Sequence, residues 1–145
     1  MNIRVVETKE QMQQAFAIRK LVFVNEQKVT AEEEYDEFDS IATHVVLYDK
    51  GVPVGTGRFR ILDDYGKLER ICILSSERGK GAGRLIMEKL ENLAAKEGLQ
   101  KVKLHAQTHA EEFYKKLGYE TKSDVFLEAD IPHVLMTKEL STLDK

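Results

Sequence analysis

The sequence contains one cysteine, two prolines and no tryptophan. One cysteine excludes an intramolecular disulfide and a metal site built from cysteines alone. The chain has no stretch near the roughly 20 consecutive apolar residues that a membrane-spanning helix needs. Its N-terminus lacks the apolar core and the cleavage site of a secretory signal. We therefore expect a cytoplasmic protein with no membrane partner.

Positive charge is not in excess either, because 22 lysines and arginines stand against 25 aspartates and glutamates, for a net charge of -3 at pH 7. Proteins that bind nucleic acid generally carry a surplus of basic residues, so no nucleic-acid partner is expected. Hydrophobic residues make up 42% and charged residues 32% of the 145 residues. This composition is typical of one soluble globular domain, here taken as residues 1–145.

Hydrophobic spacing predicts a mixture of strands and helices. The predicted strands are residues 2–7, 44–48, 52–62, 68–74, 101–106, 125–129 and 133–138. The predicted helices are residues 8–23, 82–97 and 108–118. Short turns join the second, third and fourth strands, which predicts an antiparallel meander. The order as a whole predicts an α/β fold with helices on both faces of one sheet.

A glycine-rich loop between the fourth strand and the long helix carries the strongest functional signal. Gly79, Gly81 and Gly83 fall within five residues, and glycine lets the backbone approach a ligand closely. The free N–H groups and the dipole of the helix that follows favour an anion. Three cations surround the loop: Arg78, Lys80 and Arg84. The loop therefore predicts a site for a phosphate or diphosphate.

The loop does not match two common phosphate-binding motifs. The ATP-type P-loop needs a serine or threonine after its lysine, but Gly81 follows Lys80. The dinucleotide pattern Gly-x-Gly-x-x-Gly fails because Arg84 or Ile86 occupies its last position.

Two segments instead resemble the GCN5-related N-acetyltransferases, the GNAT family. The Arg-x-x-Gly-x-Gly spacing of Arg78, Gly81 and Gly83 resembles the acyl-CoA loop of that family. Residues 107–119, Gln-x-x-Ala-x-x-Phe-Tyr-x-x-Leu-Gly-Tyr, resemble its late Asn-x-x-Ala-x-x-Phe-Tyr-x-x-Leu-Gly-Phe segment. The early run of residues 18–27 and the later Ile-Pro-His at 131–133 resemble the ElaA/YjcF-like branch. The resemblance covers nearly the whole chain.

The resemblance implies a GNAT-type fold, in which a mixed, mostly antiparallel sheet carries helices on both faces. It also implies acetyl-CoA as the acetyl donor, with no metal. In this family the strand before the loop pairs its backbone with the pantetheine arm, and the loop N–H groups hold the pyrophosphate. Gln107 stands where the family usually has asparagine near the pantetheine. The implied CoA-binding residues are Ile71, Cys72, Ile73, Arg78, Gly79, Lys80, Gly81, Ala82, Gly83, Arg84, Gln107 and Phe113.

Acetyl transfer to an amine needs a neutral amine and a proton for the departing thiolate. Tyr114 occupies the general-acid position of the family, and of the pair Phe113-Tyr114 we expect the phenylalanine to be the better core residue. Glu69 is the base candidate, by resemblance to members with a glutamate on this strand; a structural ion pair with Arg70 or a neighbour is the alternative. The other base candidates are His44, Glu26 and His105.

Two further residues have competing interpretations. Cys72 would be the nucleophile of a ping-pong mechanism, but its strand position predicts burial and no histidine neighbours it in sequence. His133 either lines the acceptor site or is structural.

The acceptor is the least defined part of the prediction. A small-molecule amine, a peptide N-terminus and a lysine are all compatible with the sequence. Residues 32–39 carry six acids and no base, which would attract a cationic acceptor or form a solvated loop. A CoA sensor or scaffold without turnover is the alternative function, and a domain that binds the phosphate of another nucleotide is a third. The family resemblance is also compatible with a homodimer.

Overall fold

Two burial patterns occur in the strands of this protein. Along Lys101–Gln107 every second residue is buried, whereas residues 44–47 and 54–59 of two central strands are buried without interruption. A computed structural model describes residues 1–140, apart from the side chains of residues 32 and 33. Within this part the strands are β1 (Asn2–Val5), β2 (Thr43–Asp49), β3 (Val52–Leu62), β4 (Tyr65–Ile73), β5 (Lys101–Gln107), β6 (Glu120–Thr121), β7 (Phe126–Glu128) and β8 (Ile131–Glu139).

The α-helices of the described residues are α1 (Lys9–Arg19), α2 (Ala31–Glu34), α3 (Ala82–Lys96) and α4 (Glu111–Lys116). The predicted capping box of Thr8 and Gln11 opens α1. A π-helical segment, Lys20–Glu26, continues directly from α1, so the predicted helix of residues 8–23 changes its winding after Arg19 and runs three residues further. None of the described helices is long and apolar enough to cross a bilayer.

The strands form one sheet in the order β1-β2-β3-β4-β5-β8-β6, with β7 paired to β8. All pairs are antiparallel except β4 with β5. That parallel pair extends only from Gly66–Leu68 to Val102–Leu104, while β4 continues to Ile73 and β5 to Gln107. The two strands therefore separate beyond Leu68 and Leu104 and leave a gap inside the sheet.

A β-bulge in β4 lies at the start of this gap. Thr56 pairs with Cys72 and Arg58 with Glu69, so two residues of β4 lie opposite one residue of β3. Arg70, one of the two, has a φ of 58°, in the left-handed region that bulges use. A bulge bends its strand, which helps β4 to diverge from β5.

Helices cover both faces of the sheet. The apolar stripe of α3, which includes Ile86 and Leu90, packs against Val45 and Leu47 of β2. On the other face, α1 packs its own apolar residues against Val46 and Cys72. The predicted α/β architecture is confirmed. The short strand β6 was not predicted, because two residues give no alternating pattern.

Candidate active site

The gap between β4 and β5 opens into a groove of about 1310 Å³. This volume exceeds the roughly 300–1,000 Å³ of pockets for drug-sized ligands, so the groove can take a long ligand. Its walls come from the π-helical segment, from β4 and β5, from the glycine loop with the start of α3, from α4, and from the β7–β8 hairpin.

The predicted CoA-binding residues converge on this groove. Every member of that set lines it except Lys80, whose ammonium lies 3.4 Å from the Glu77 carboxylate. Both predicted catalytic residues, Tyr114 and Glu69, line it as well.

The free edge of β4 forms one wall. The N–H of Leu74 donates to the carbonyl of Val54 in β3, and Cys72 pairs with Thr56 of β3. Backbone groups of successive strand residues point to opposite sides. Ile73, which lies between Cys72 and Leu74, therefore directs its backbone groups into the gap.

The glycine loop brings an uncapped helix terminus to the groove. Gly79 and Gly81 have φ values of 83° and 81°, which favour glycine over any residue with a side chain. Gly81 directly precedes α3, and no side chain caps the N–H groups of the first turn. These free donors and the positive end of the helix dipole make a binding site for an anion.

Gly83 serves a different purpose, because a Cβ at this position would lie 2.8 Å from Cζ of Phe113. The ring of Phe113 thus packs over the first turn of α3, with the side chain 38% exposed, while Tyr114 is 9% exposed. The expectation that Phe113 is the core residue of this pair is wrong, because Gly83 gives its ring a contact outside the core.

The cations of the loop already have protein partners. Nη1 and Nη2 of Arg78 lie 2.8 and 2.9 Å from the carboxylate oxygens of Glu26 in the π-helical segment. This hydrogen-bonded ion pair lowers the pKa of Glu26, which makes Glu26 a weaker base candidate. Arg78 also donates through Nε to the carbonyl of Ile73, and so links the loop to the free edge of β4.

Tyr114 has a buried hydroxyl without a hydrogen-bond partner among residues 1–140. Its ring makes edge-to-face contacts with Phe113 and Tyr119. Burial raises the pKa of Tyr114, so the phenol keeps its proton. Buried polar groups in proteins nearly always have a partner, and a hydroxyl that lines a groove without one is available to a ligand.

Gln107, at the end of β5, is hydrogen-bonded to the residue that follows the π-helical segment. Its Nε2 donates to Oε1 of Gln27 at 2.8 Å, and its Oε1 lies 2.6 Å from Nε2 of His109. Both ends of the amide are therefore engaged, and any contact of Gln107 with a ligand competes with these bonds.

The predicted burial of Cys72 is confirmed, at 5% exposure. Burial also raises the pKa of Cys72 strongly, so its sulfur stays a thiol and is a poor nucleophile.

Glu69 stands at the entrance to the gap, among cations. Its Oε1 accepts from Nε of Arg60 at 2.8 Å and from Nη2 of Arg58 at 2.9 Å, and Lys67 is also within ion-pair distance. Burial by itself would raise the pKa of Glu69, but the hydrogen bond from Arg60 and the charges of Arg58 and Lys67 outweigh it and lower the pKa. Glu69 is thereby a weaker proton acceptor than an isolated glutamate.

Three acids of residues 32–39 form ion pairs inside the protein, whereas Glu37 is exposed. Glu34 and Asp39 are buried, and both bind the guanidinium of Arg19 at 2.7 Å. Asp39 and Asp36 bind Arg58. These three acids therefore neutralise two buried arginines. The side chains of Glu32 and Glu33 lie outside the described part.

Sequence reasoning missed these arginines as partners of the acids. For Arg19 a signal existed, because it follows Ile18 on the apolar face of the predicted helix. The same cluster accounts for His44, which is buried, hydrogen-bonds to the carbonyl of Asp39 and does not line the groove.

The far end of the groove carries two histidines and a carboxylate, His105, Glu128 and His133, all of which line it. Nδ1 of His105 lies 2.8 Å from Oε1 of Glu128. Within the described residues neither these three side chains nor any other group of three or more histidines, cysteines, aspartates or glutamates is arranged so that it could hold a metal ion.

The sequence and the fold of this chain are similar to those of known proteins. The model of the acetyltransferase (GNAT) domain matches residues 7–140. The N-acetyltransferase YjcF of Bacillus subtilis (strain 168) is 50% identical over 136 residues, which cover 93% of this chain and 97% of YjcF.

Solved structures share the fold. The crystal structure of Escherichia coli ElaA has a TM-score of 0.86 at 23% identity and covers 96% of this chain and 100% of its own. An aminoglycoside 6'-N-acetyltransferase complexed with coenzyme A has a TM-score of 0.76 at 18% identity, with 97% of this chain and 98% of that chain covered.

Proposed function

This chain belongs to the GNAT acetyltransferase family, in its ElaA/YjcF-like branch, and from that premise we propose that it transfers the acetyl group of acetyl-CoA directly to a primary amine. The observation that carries the proposal is the buried, unpartnered hydroxyl of Tyr114 on the wall of a groove that begins at an uncapped helix terminus.

The groove suits CoA along its length. The uncapped N–H groups at the start of α3 would bind the pyrophosphate. The backbone of Ile73 and the neighbouring β4 edge would hydrogen-bond to the pantetheine arm in the manner of an added strand. The similarity to an acetyltransferase complexed with coenzyme A supports the same ligand.

Arg78 lies between the expected pyrophosphate site and the free edge of β4. It is tied to Glu26, and the pyrophosphate would compete with that carboxylate for the same guanidinium. We expect Arg78 to keep its bond to the Ile73 carbonyl and to divide its remaining donors between Glu26 and the phosphate.

Side chains of the groove would donate and accept the protons that move during acetyl transfer. Tyr114, which burial keeps protonated, would give its phenolic proton to the thiolate as the C–S bond breaks. Direct transfer rather than an acetyl-cysteine intermediate follows from Cys72, whose thiol is buried and not ionised. Glu69 would hold Arg58 and Arg60 in place beside the acceptor and is a base candidate of lowered pKa.

Calorimetric titration of acetyl-CoA into the wild type and into an Arg78→Ala/Gly81→Val variant tests the cofactor site. Gly81 has a positive φ, and valine there is strained, so the variant should lose saturable binding. An equal affinity in both proteins would contradict the assignment of the loop. A Lys80→Ala variant is the matched control, since Lys80 does not line the groove, and it should bind within a few-fold of the wild type.

An amine screen then distinguishes the enzyme from a CoA-binding sensor. Release of CoA that depends on the added amine supports the transferase. Tight binding of acetyl-CoA without turnover against alkylamines, peptide N-termini and lysine side chains would favour the sensor instead.

A further inference from the structure

Two groove residues at the point where β4 and β5 separate are candidates to accept the proton of the amine. Leu68 and Leu104 are the last residues that β4 and β5 pair, and both are buried in the core. The next residues, Glu69 and His105, therefore face away from that core and stand on the two sides of the opening gap. Both line the groove.

His105 is held by a carboxylate in a defined orientation. Its Nδ1 lies 2.8 Å from Oε1 of Glu128, and since an ionised carboxylate only accepts hydrogen bonds, Nδ1 carries the hydrogen. In the neutral ring Nε2 is then a bare lone-pair acceptor. No protein partner for Nε2 is found within residues 1–140.

Residues around the His105–Glu128 pair also hold the Glu128 carboxylate in place. Nε2 of His133 lies 3.9 Å from Oε2 of Glu128, while Nδ1 of His133 donates to the carbonyl of Ile131 at 2.6 Å. The Phe126 ring stacks on His133 and meets His105 edge-on. The hydrogen bond with His105 lowers the pKa of Glu128, which keeps the carboxylate charged.

His105 and Glu69 differ in how free they are to take a proton. Glu69 is 10% exposed, and Arg58, Arg60 and Lys67 all lie within ion-pair distance of its carboxylate. His105 is 28% exposed, and one nitrogen of its ring is unengaged. A carboxylate that orients an imidazole through Nδ1, with Nε2 facing the reactants, is the arrangement of a histidine general base.

We propose that Nε2 of His105 accepts the proton of the acceptor ammonium and that Glu128 is the positioning residue that orients the ring. The proposal rests on the acetyl transfer proposed above and deepens it. His105 takes one proton from the ammonium and passes it to solvent. The neutral amine attacks the carbonyl carbon and forms the C–N bond as the C–S bond breaks. Tyr114 protonates the thiolate and is reprotonated from solvent, while the amide nitrogen loses its second proton to solvent.

Two simple amines separate proton removal from the remaining chemistry. At pH 7 n-butylamine is protonated, whereas 2,2,2-trifluoroethylamine is a weak base and is already neutral. His105→Gln should lower kcat/KM for n-butylamine by about 10²- to 10⁴-fold and change kcat/KM for trifluoroethylamine by less than tenfold. Glu69→Gln, the comparator, should affect both amines by the same factor. Equal losses for both amines in His105→Gln would overturn the base role.

Glu128→Ala tests the positioning role through the difference between the two amines. It removes the carboxylate that holds the Nδ1–H of His105, so the ring is no longer fixed with Nε2 as the acceptor. The value of kcat/KM for n-butylamine should fall by about tenfold or more, while that for trifluoroethylamine changes by less. Equal changes for both amines in Glu128→Ala would contradict this role.

Nitrogen-15 NMR of the histidine rings gives a readout without turnover. We expect the Nδ1–H tautomer for His105 in the wild type and its loss in Glu128→Ala, which removes the acceptor oxygen; an Nε2–H tautomer in the wild type overturns the proposal. Acetyl-CoA calorimetry, together with the activity assay, distinguishes failure of the proposed transferase function from failure of the base role alone. A wild type that binds acetyl-CoA but transfers to neither amine overturns the transferase and the base role with it. Transfer that survives in His105→Gln with both amines overturns the base role alone.

Discussion

Two buried tyrosines of this protein differ by one hydrogen bond. We therefore expect Tyr119 to contribute to stability and Tyr114 to contribute to catalysis. The hydroxyl of Tyr119 donates to Glu91 at 2.7 Å. The hydroxyl of Tyr114 has no partner within residues 1–140 and lines the groove. A buried polar group without a partner costs stability, whereas a hydrogen bond to a charged group contributes about 1.5–3 kcal/mol.

Tyr114→Phe should therefore leave the free energy of unfolding unchanged or raise it slightly, while kcat for amine acetylation falls by about 10²- to 10⁴-fold. Acetyl-CoA affinity should stay within a few-fold of the wild type. Urea unfolding, steady-state kinetics and calorimetry measure the three quantities.

Tyr119→Phe is the matched control and should show the reverse. It removes the bond to Glu91 and should lower the free energy of unfolding by about 1.5–3 kcal/mol, with turnover retained. A Tyr114→Phe protein that is destabilised as much as Tyr119→Phe would mean that Tyr114 has a structural role instead.

Local patterns explain which parts of the site could be predicted from the sequence. The glycines at 79, 81 and 83 and the segment from Gln107 to Tyr119 are each contained within one short run, so their pattern is visible in the chain itself. The strand predicted at residues 52–62 has those bounds in the structure, and the one predicted at 101–106 ends one residue later, because composition and alternation are local properties.

The rest depends on contacts between distant elements. His105 meets Glu128 through the register of β5, β7 and β8, and no spacing in the sequence encodes that pairing. Arg19 neutralises Asp39 only because α1 packs beside the segment that follows α2. The π-helical winding that brings Glu26 to Arg78 likewise has no local signal in the hydrophobic pattern.

At the scale of elements, the distance between α3 and β3 is set by glycine. A Cβ at Gly55 would lie 2.8 Å from Cδ1 of Ile73 and 2.9 Å from Cδ1 of Ile86. Such distances are too short for carbon atoms, so the isoleucines or α3 itself must move. The close contact keeps the first turns of α3 against the sheet, and thereby keeps the glycine loop at the groove.

Gly55→Ala should lower the free energy of unfolding by about 1–3 kcal/mol through overpacking. Ile86→Val removes one of the two Cδ1 atoms that a Cβ at position 55 would meet, so the same alanine should cost less in an Ile86→Val background. Chemical denaturation of the four proteins of this double-mutant cycle measures the coupling. Strictly additive losses would contradict the close contact between Gly55 and Ile86.

At the scale of the whole molecule, a buried charge cluster joins α1 to strands β3 and β4. Arg58 of β3 binds Asp36, Asp39 and Glu69, and Asp39 also binds Arg19 of α1. Removing one partner of a buried pair leaves an uncompensated charge, which is strongly destabilising. The cluster thus ties the α1 side of the molecule to the strands that carry the gap.

Protonation of this cluster should govern unfolding in acid. The hydrogen bonds and charge of Arg58 lower the pKa of Asp36 from 3.8 to about 2, and the pKa values of Asp39 and Glu69 are lowered as well. A lowered pKa means that the folded state binds the proton less readily than the unfolded state. The resulting stability is present above about pH 4 and is lost as the pH falls toward 2. Burial raises the pKa of Glu34, and this group acts in the opposite sense, gaining stability as the pH falls through its raised value.

Asp36→Asn isolates one contribution, because asparagine keeps the size of the side chain but does not titrate. Since one pKa unit corresponds to about 1.4 kcal/mol and the folded carboxylate is only half protonated at pH 2, the loss of unfolding free energy between pH 4 and pH 2 should be smaller in Asp36→Asn than in the wild type by up to about 1.8 kcal/mol. Urea unfolding at a series of pH values measures both curves. Parallel curves for the two proteins would mean that Arg58 does not hold the Asp36 carboxylate ionised in the folded state, and that the cluster stabilises the fold through its other acids.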